Sequence, residues 1–294
     1  MLSTRDEQDR EWSRYYRLPE LHDIEVLHAR FVDHRYARHS HDYFVIALME
    51  TGAASYWYRG STRVAGSGYV FVVNPDEPHT GDSATVGGYI YRVLYPRSEH
   101  LRHLAADVGT REAIPYFKDS VLSDAELSFA LARFHRQLAD RAPSAHCEGL
   151  LLRSLARLLT HHTDPAVTPR TIGCERPAVK RASEYIQSHF TDDVSISKLA
   201  SLVGLSPYYF ARAFEREIGL PPHTYVENVR VQKAREFLDR GYTVVSAALA
   251  AGYADQSHLT HRFKRFLGIT PGQYARESKF CVRSSGSCAQ GAIF

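Results

Sequence analysis

Residues 252–274 read GYADQSHLTHRFKRFLGITPGQY. Between Gln256 and Gly268 the large apolar side chains are Leu259, Phe263, Phe266 and Leu267, a spacing that marks a single face of a helix. The other positions include Gln256, Ser257, His258, His261, Arg262, Lys264 and Arg265, all polar or basic. Asp255 offers a carboxylate to the first free N–H groups, while Gly268 and then Pro271 end the run. A helix with so narrow an apolar stripe is held to its domain by one face and keeps the other for a partner.

The same arrangement occurs once before. Ala200-x3-Gly204, then Phe210-x3-Phe214-x4-Gly219-x2-Pro222-x2-Tyr225, is answered by Ala248-x3-Gly252, then Leu259-x3-Phe263-x4-Gly268-x2-Pro271-x2-Tyr274. In each copy a short helix ends at a glycine that tolerates the left-handed conformation, and a second helix starts at a capping side chain, Ser206 or Asp255. This spacing predicts two helix-turn-helix units. Two helical hairpins that merely pack together are the plainer alternative; duplication with a basic exposed side in both copies argues against it. Residues 177–277 hold 13 Lys or Arg against 10 Asp or Glu, so any nucleic-acid surface is local. Arg212, Arg216, Arg262, Lys264 and Arg265 supply it, all on the second helix of a unit. A helix entering the major groove sets polar side chains against base edges and cations against phosphates.

Residues 177–277 resemble the DNA-binding domain of the AraC/XylS family of bacterial transcription regulators, on both glycines, the paired anchors and both Gly-x2-Pro-x2-Tyr endings. The resemblance implies that both recognition helices read one face of double-stranded promoter DNA. Carried over by position, the first reads with Tyr208, Ala211 and Arg212, and the second with Gln256, Ser257, His258 and His261, flanked by Arg262. A surface salt bridge to Glu215 is the alternative use of Arg212. The resemblance also implies a small-molecule effector and, for an activator, RNA polymerase as partner.

From about residue 24 to 95 the period changes. EVLHARFV, YFVIALME, ASYWYRG, GYVFVVN and GGYIYRVLY are short runs of β-branched and aromatic residues punctuated by glycine and proline, the pattern of a small barrel or sandwich. The stretch resembles the cupin-type ligand-binding domain found at the N-terminus of these regulators. His39 and His41, placed on one strand, and His79 beyond the Asn74-Pro75 turn stand out. Three histidines suit Zn²⁺ or Fe²⁺, effector contacts, or a structural role. The glutamate that metal cupin enzymes add after the His pair is absent, with Tyr43, Phe44, Val45 and Ile46 in its place, so neither metal nor cofactor is expected. Arg38, His39, His41, Tyr43, Trp57, His79, Tyr89 and Tyr91 are candidate effector-binding residues, suited to a sugar or a carboxylated metabolite.

The fold class expected is therefore α+β in two domains. Residues 1–162 form the cupin-like domain, with helices over about 98–162; 163–176, with Pro165 and Pro169, form a linker; 177–277 bind DNA; 278–294 form a disordered tail. Leu127, Leu131, Phe134 and Leu138, and Leu151, Leu155 and Leu158, repeat at steps of four and three and are assigned to a dimer contact, the alternative being that they pack on the barrel or on each other within the same chain. No apolar run reaches the length of a membrane span, and four scattered cysteines fit a reducing, cytoplasmic setting. A sensing transcription regulator, not an enzyme, is the expected function, with a metal-dependent cupin enzyme carrying a DNA-binding appendage as the alternative.

Overall fold

The computed structural model describes residues 11–19, 23–107, 114–140, 144–163 and 176–280. Ten strands come first: β1 (Trp12–Leu18), β2 (Ile24–Phe31), β3 (Tyr36–His39), β4 (Val45–Thr51), β5 (Ala53–Tyr58), β6 (Ser61–Gly66), β7 (Val70–Val73), β8 (His79–Ser83), β9 (Tyr89–Tyr95) and β10 (Val121–Leu122). They form an antiparallel sheet ordered β1-β2-β9-β4-β7-β10 and a second ordered β3-β8-β5-β6. Successive side chains point to opposite faces of a strand. In the larger sheet Leu27, Ala47, Met49, Val73 and Tyr91 therefore face the barrel interior, and Val26, Ile46, Leu48, Val72 and Leu94 face out.

That outward face is apolar too, so it must be covered. Helices α1 (Ser98–Asp107), α2 (Ala125–Ala139) and α3 (Ser144–His162) cover it. Leu127, Leu131, Phe134, Leu151, Leu155 and Leu158 are all buried in this layer. The assignment of these leucines to a dimer contact is thus corrected: the stripe packs on its own chain's sheet. Apolar side chains left exposed on α2 and α3 are Phe129 and Leu152. Asp124 caps α2 and pairs with Arg157 and His162 of α3, which pins the two helices together.

The C-terminal part is helical: α4 (Arg176–Ser188), α5 (Ile196–Val203), α6 (Pro207–Ile218), α7 (Pro222–Asp239), α8 (Val244–Ala250), α9 (Gln256–Leu267) and α10 (Pro271–Phe280). Both helix-turn-helix units form as expected, α5–α6 and α8–α9, joined by α7. Ser206 and Asp255 accept from the backbone N–H of Tyr209 and His258, and Gly204, Gly219 and Gly268 close their helices with positive φ. The final helix runs to Phe280, three residues past the expected boundary; residues 164–175 of the linker and 281–294 of the tail lie outside the described residues.

The units differ in what completes their cores. The first packs Leu199, Phe210 and Phe214 within its own domain. In the second, Leu259, Phe263, Phe266, Ile269 and Tyr274 belong to one apolar cluster with the barrel interior. The second unit and the barrel thus share a core.

Candidate effector cavity and nucleic-acid interface

The barrel interior holds a cavity of about 80 Å³. At roughly 10–15 Å³ per water this admits several waters or a compound of a few heavy atoms. Its wall is aromatic, with Tyr36, Tyr43, Tyr56, Tyr89, Tyr91 and Tyr95 among the lining. Tyr36 and Tyr91 share a hydrogen bond of 2.7 Å, and burial pushes both phenols well above their ordinary range.

His39, His41 and His79 are buried on the cavity wall, their ring nitrogens within 4.8 Å of one another. His39 closes β3, but His41 lies just beyond it, so the pair does not share a strand as expected. Nδ1 of His39 donates to the carbonyl of Ala37 (2.7 Å), that of His41 to Tyr43 (2.8 Å) and that of His79 to Glu77 (3.0 Å). A carbonyl only accepts, so Nδ1 carries the proton and Nε2 is left as a lone pair. Burial, then the neighbouring imidazoles, lowers His39 and His79 to about 3 and His41 well below its usual range. The wall therefore presents three neutral acceptors. Metal-binding histidines have their second nitrogen held in the same way, so three imidazoles gathered within 4.8 Å form a donor set of the kind that suits a divalent ion.

Of the candidate effector residues, His39, His41, Tyr43, His79, Tyr89 and Tyr91 line the cavity. Arg38 and Trp57 do not: Arg38 Cζ lies over the Trp57 ring, 3.8 Å from its centroid, and the guanidinium pairs with Glu215 of α6 at 3.7 Å. The cation that lines the cavity comes instead from α7. Arg235 pairs with Glu25 of β2, donates to the Tyr274 hydroxyl at 3.0 Å and lies 5.1 Å over the Tyr43 ring. Phe266, Leu267, Ile269 and Tyr274 complete the lining. Sequence reasoning missed all five, since nothing local to residues 235–274 points to a site begun at residue 25.

The positions expected to read bases lie on α6 and α9. Gln256, Ser257, His258 and His261 are exposed on α9, the His258 ring standing edge-on to Tyr253. On α6, Tyr208 occupies the second position, Ala211 is half-buried and Arg212 is exposed. Arg262, expected to flank them, is half-buried, with its guanidinium 3.2 Å from Glu227 of α7. Lys264 and Arg265 are the exposed cations of α9.

A ligand-sized barrel cavity joined to a duplicated helix-turn-helix defines a ligand-responsive transcription regulator. Comparison with known proteins agrees. Residues 21–156 match the family model of the AraC-like ligand binding domain, and residues 199–277 match a helix-turn-helix domain model. The chain is 28% identical over 241 residues to the uncharacterized HTH-type transcriptional regulator YbfI of Bacillus subtilis, covering 82% of this chain and 87% of that one. It is 23% identical to the HTH-type transcriptional activator RhaS of Pectobacterium carotovorum, covering 80% and 86%. The fold is also that of ToxT from Vibrio cholerae, solved with an unsaturated fatty acid bound: TM-score 0.52, 12% identity, 90% of this chain and 94% of that one. The chain belongs to the AraC family of transcription regulators. Among the described residues no helix is long and apolar enough to cross a membrane.

Proposed function

We propose that α6 and α9 read successive major-groove segments of promoter DNA and that the barrel cavity takes a small neutral ring compound bearing hydroxyl groups. The observation that supports this ligand class is the charge state of the wall. Glu25 and Arg235 neutralise each other, and the three histidines are uncharged acceptors. An added carboxylate would leave one buried negative charge unpaired, which is strongly unfavourable. Hydroxyl donors find partners at the three Nε2 atoms, and a ring stacks on the tyrosines. The chain acts in the cytoplasm as a regulator without catalysis of its own. Its homodimer contact is placed on the exposed side of α2 and α3, around Phe129 and Leu152, and RNA polymerase is the further partner where it activates.

Arg212→Ala tests the reading surface. It weakens specific binding by about 1–3 kcal/mol and relaxes preference at one base position, as loss of a bidentate base contact does. Selection from a random-sequence duplex pool, followed by titration at fixed salt, measures both. An equal loss on every sequence assigns Arg212 to phosphate instead.

A second reading is favoured by the clustered imidazoles: His39, His41 and His79 would hold a Zn²⁺-class ion. Dialysis of the full chain against Co²⁺ then gives stoichiometric binding with visible absorption, lost in His79→Ala. A chain that retains no ion in elemental analysis and shows no cobalt absorption excludes it.

A further inference from the structure

Gly204 and Gly252 hold the same position of the repeat, 48 residues apart, and both have positive φ, +71° and +80°. Their surroundings differ. A Cβ built at Gly204 meets nothing within 4 Å, so glycine there answers only to the backbone. A Cβ built at Gly252 would lie 2.9 Å from Thr191 Cα and 3.3 Å from the Thr191 carbonyl oxygen, and both are backbone atoms, which cannot swing aside. Thr191 belongs to the loop between α4 and α5, on the side of the first unit. The turn of the second unit is therefore seated on the backbone of the first, and a missing side chain makes the seat.

Arg230 of α7 fastens the same loop. Its Nε donates to the carbonyl of Phe190 at 2.7 Å and its Nη2 to that of Asp192 at 2.9 Å, so one planar guanidinium grips the chain on both sides of Thr191. Phe190 packs on the first core, which holds Phe210 and Phe214 of α6 together with Val226 and Val229 of α7. Val231, Ala234 and Leu238 of the same helix join Leu259 and Phe263 of α9. Glu227, three residues before Arg230, reaches Arg262 of α9 at 3.2 Å. Tyr253, next to Gly252, is buried with its ring 5.1 Å from that of His258, one of the reading positions. The junction thus bears on both recognition helices.

Double-stranded DNA sets a narrow condition on such a pair. Each base pair added between two elements moves the second by about 3.4 Å along the axis and, at roughly 10–10.5 base pairs per turn, rotates it by about 35°. Packed helices can slide past one another by about 1–2 Å, so packing on α7 alone would leave slack. The seated loop removes it. A shift of the size that one base pair demands breaks both Arg230 hydrogen bonds in one direction and drives the Gly252 turn into Thr191 in the other.

We propose that Arg230 and Gly252 determine which spacing of its two DNA elements the protein accepts. The clamp holds α6 and α9 at one separation and one relative rotation, so a site with one base pair more or fewer engages only one recognition helix at a time. The inference rests on the reading above that both helices enter successive major-groove segments. It adds the positioning residues that fix their register and the discrimination between sites that follows from them.

A spacing profile of the full chain tests this. A duplex selected by the parent from a random-sequence pool is remade with one base pair removed, or one added, between its two elements, and each is titrated at fixed salt. The parent is expected to bind the remade duplexes roughly 5- to 150-fold more weakly than the original, the range for one mismatched base pair. Arg230→Ala brings that ratio close to one, with thermal unfolding as the check that it is folded. Gly252→Ala lowers the ratio as well. Gly204→Ala adds the same left-handed strain at an open position and keeps the parent's ratio, so the two glycine variants decide the question even where Arg230→Ala does not fold. Folded Arg230→Ala or Gly252→Ala that weakens binding equally on every duplex overturns the spacing role, as does a Gly204→Ala profile as flat as that of Gly252→Ala or a parent that binds every spacing alike. A parent that selects a single element, or none, overturns instead the reading that α6 and α9 both bind DNA.

Discussion

Glu25→Gln opens the seam between the barrel and the helical domain, with the docked-to-undocked ratio falling by about two to four powers of ten. Glu25 and Arg235 are both buried and lie 210 residues apart in the chain. Removing one partner of such a pair costs about 3–5 kcal/mol, because the remaining charge has lost water and gains nothing in return. Here the cost has an outlet. Arg235 regains solvent when the domains part, so the penalty falls on docking and spares the folding of either domain. Arg235→Met in the Glu25→Gln background removes the stranded charge and restores docking, whereas each single change loses it. Scattering profiles of the parent, both single variants and the double variant measure this. Identical profiles for Glu25→Gln and the parent would show that the ion pair does not hold the seam.

The second large effect is acid unfolding of the barrel. His39 and His79 have folded values of about 3, His34 about 4 and His41 lies lower still than its ordinary range, in each case chiefly through burial. Unfolded histidine takes a proton near pH 6.5. These groups are lowered bases, so below that pH the unfolded chain binds more protons and stability falls with pH; above it their contribution is flat. Each costs about 1.4 kcal/mol per pH unit until its folded value is reached. The three cavity histidines together cost about 4 kcal/mol per unit, against a total stability of about 5–15 kcal/mol for an ordinary domain. Unfolding is therefore expected between about pH 5.5 and 3. Glu50, held at about 2 by His28 and Arg92, loses its own contribution only in the lower part of that range. Near-ultraviolet circular dichroism with a chelator present follows the transition, and denaturant titrations at each pH give the slope. His79→Gln should reduce that slope by about one proton. A stability that stays level from pH 6.5 to 5 would mean that the histidines are hydrated in solution.

The determinants that are local in the chain were legible in the sequence. The capping side chains Ser206 and Asp255, the closing glycines, the anchors Phe210, Phe214, Leu259 and Phe263, and the exposed reading positions of α9 all follow from spacing within a dozen residues. A helix end and an apolar face are settled by near neighbours. The five strands expected from composition also form, and a strand was expected at His39, whereas β1 (Trp12–Leu18), β6 and β8, whose polar and mixed residues lack a clear alternation, and the two-residue β10 were not foreseen.

What the tertiary structure alone decided is which surface meets which. The leucine stripes of α2 and α3 announce an apolar partner but not whose, and the outward side chains of β4 and β7 in the same chain claim them. Arg38 was a reasonable effector contact by position in the chain, yet Trp57 and Glu215 hold it outside the cavity. Arg235 reads as one more cation on a helix and becomes the buried charge of a cavity because Glu25 waits on another domain. Gly268 is required locally as a left-handed cap, but only the approach of Tyr36 makes its missing side chain a condition of docking. Caps and periodicity act over one or two helical turns, whereas burial of charge and the fit of two surfaces depend on residues brought together from opposite ends of the chain.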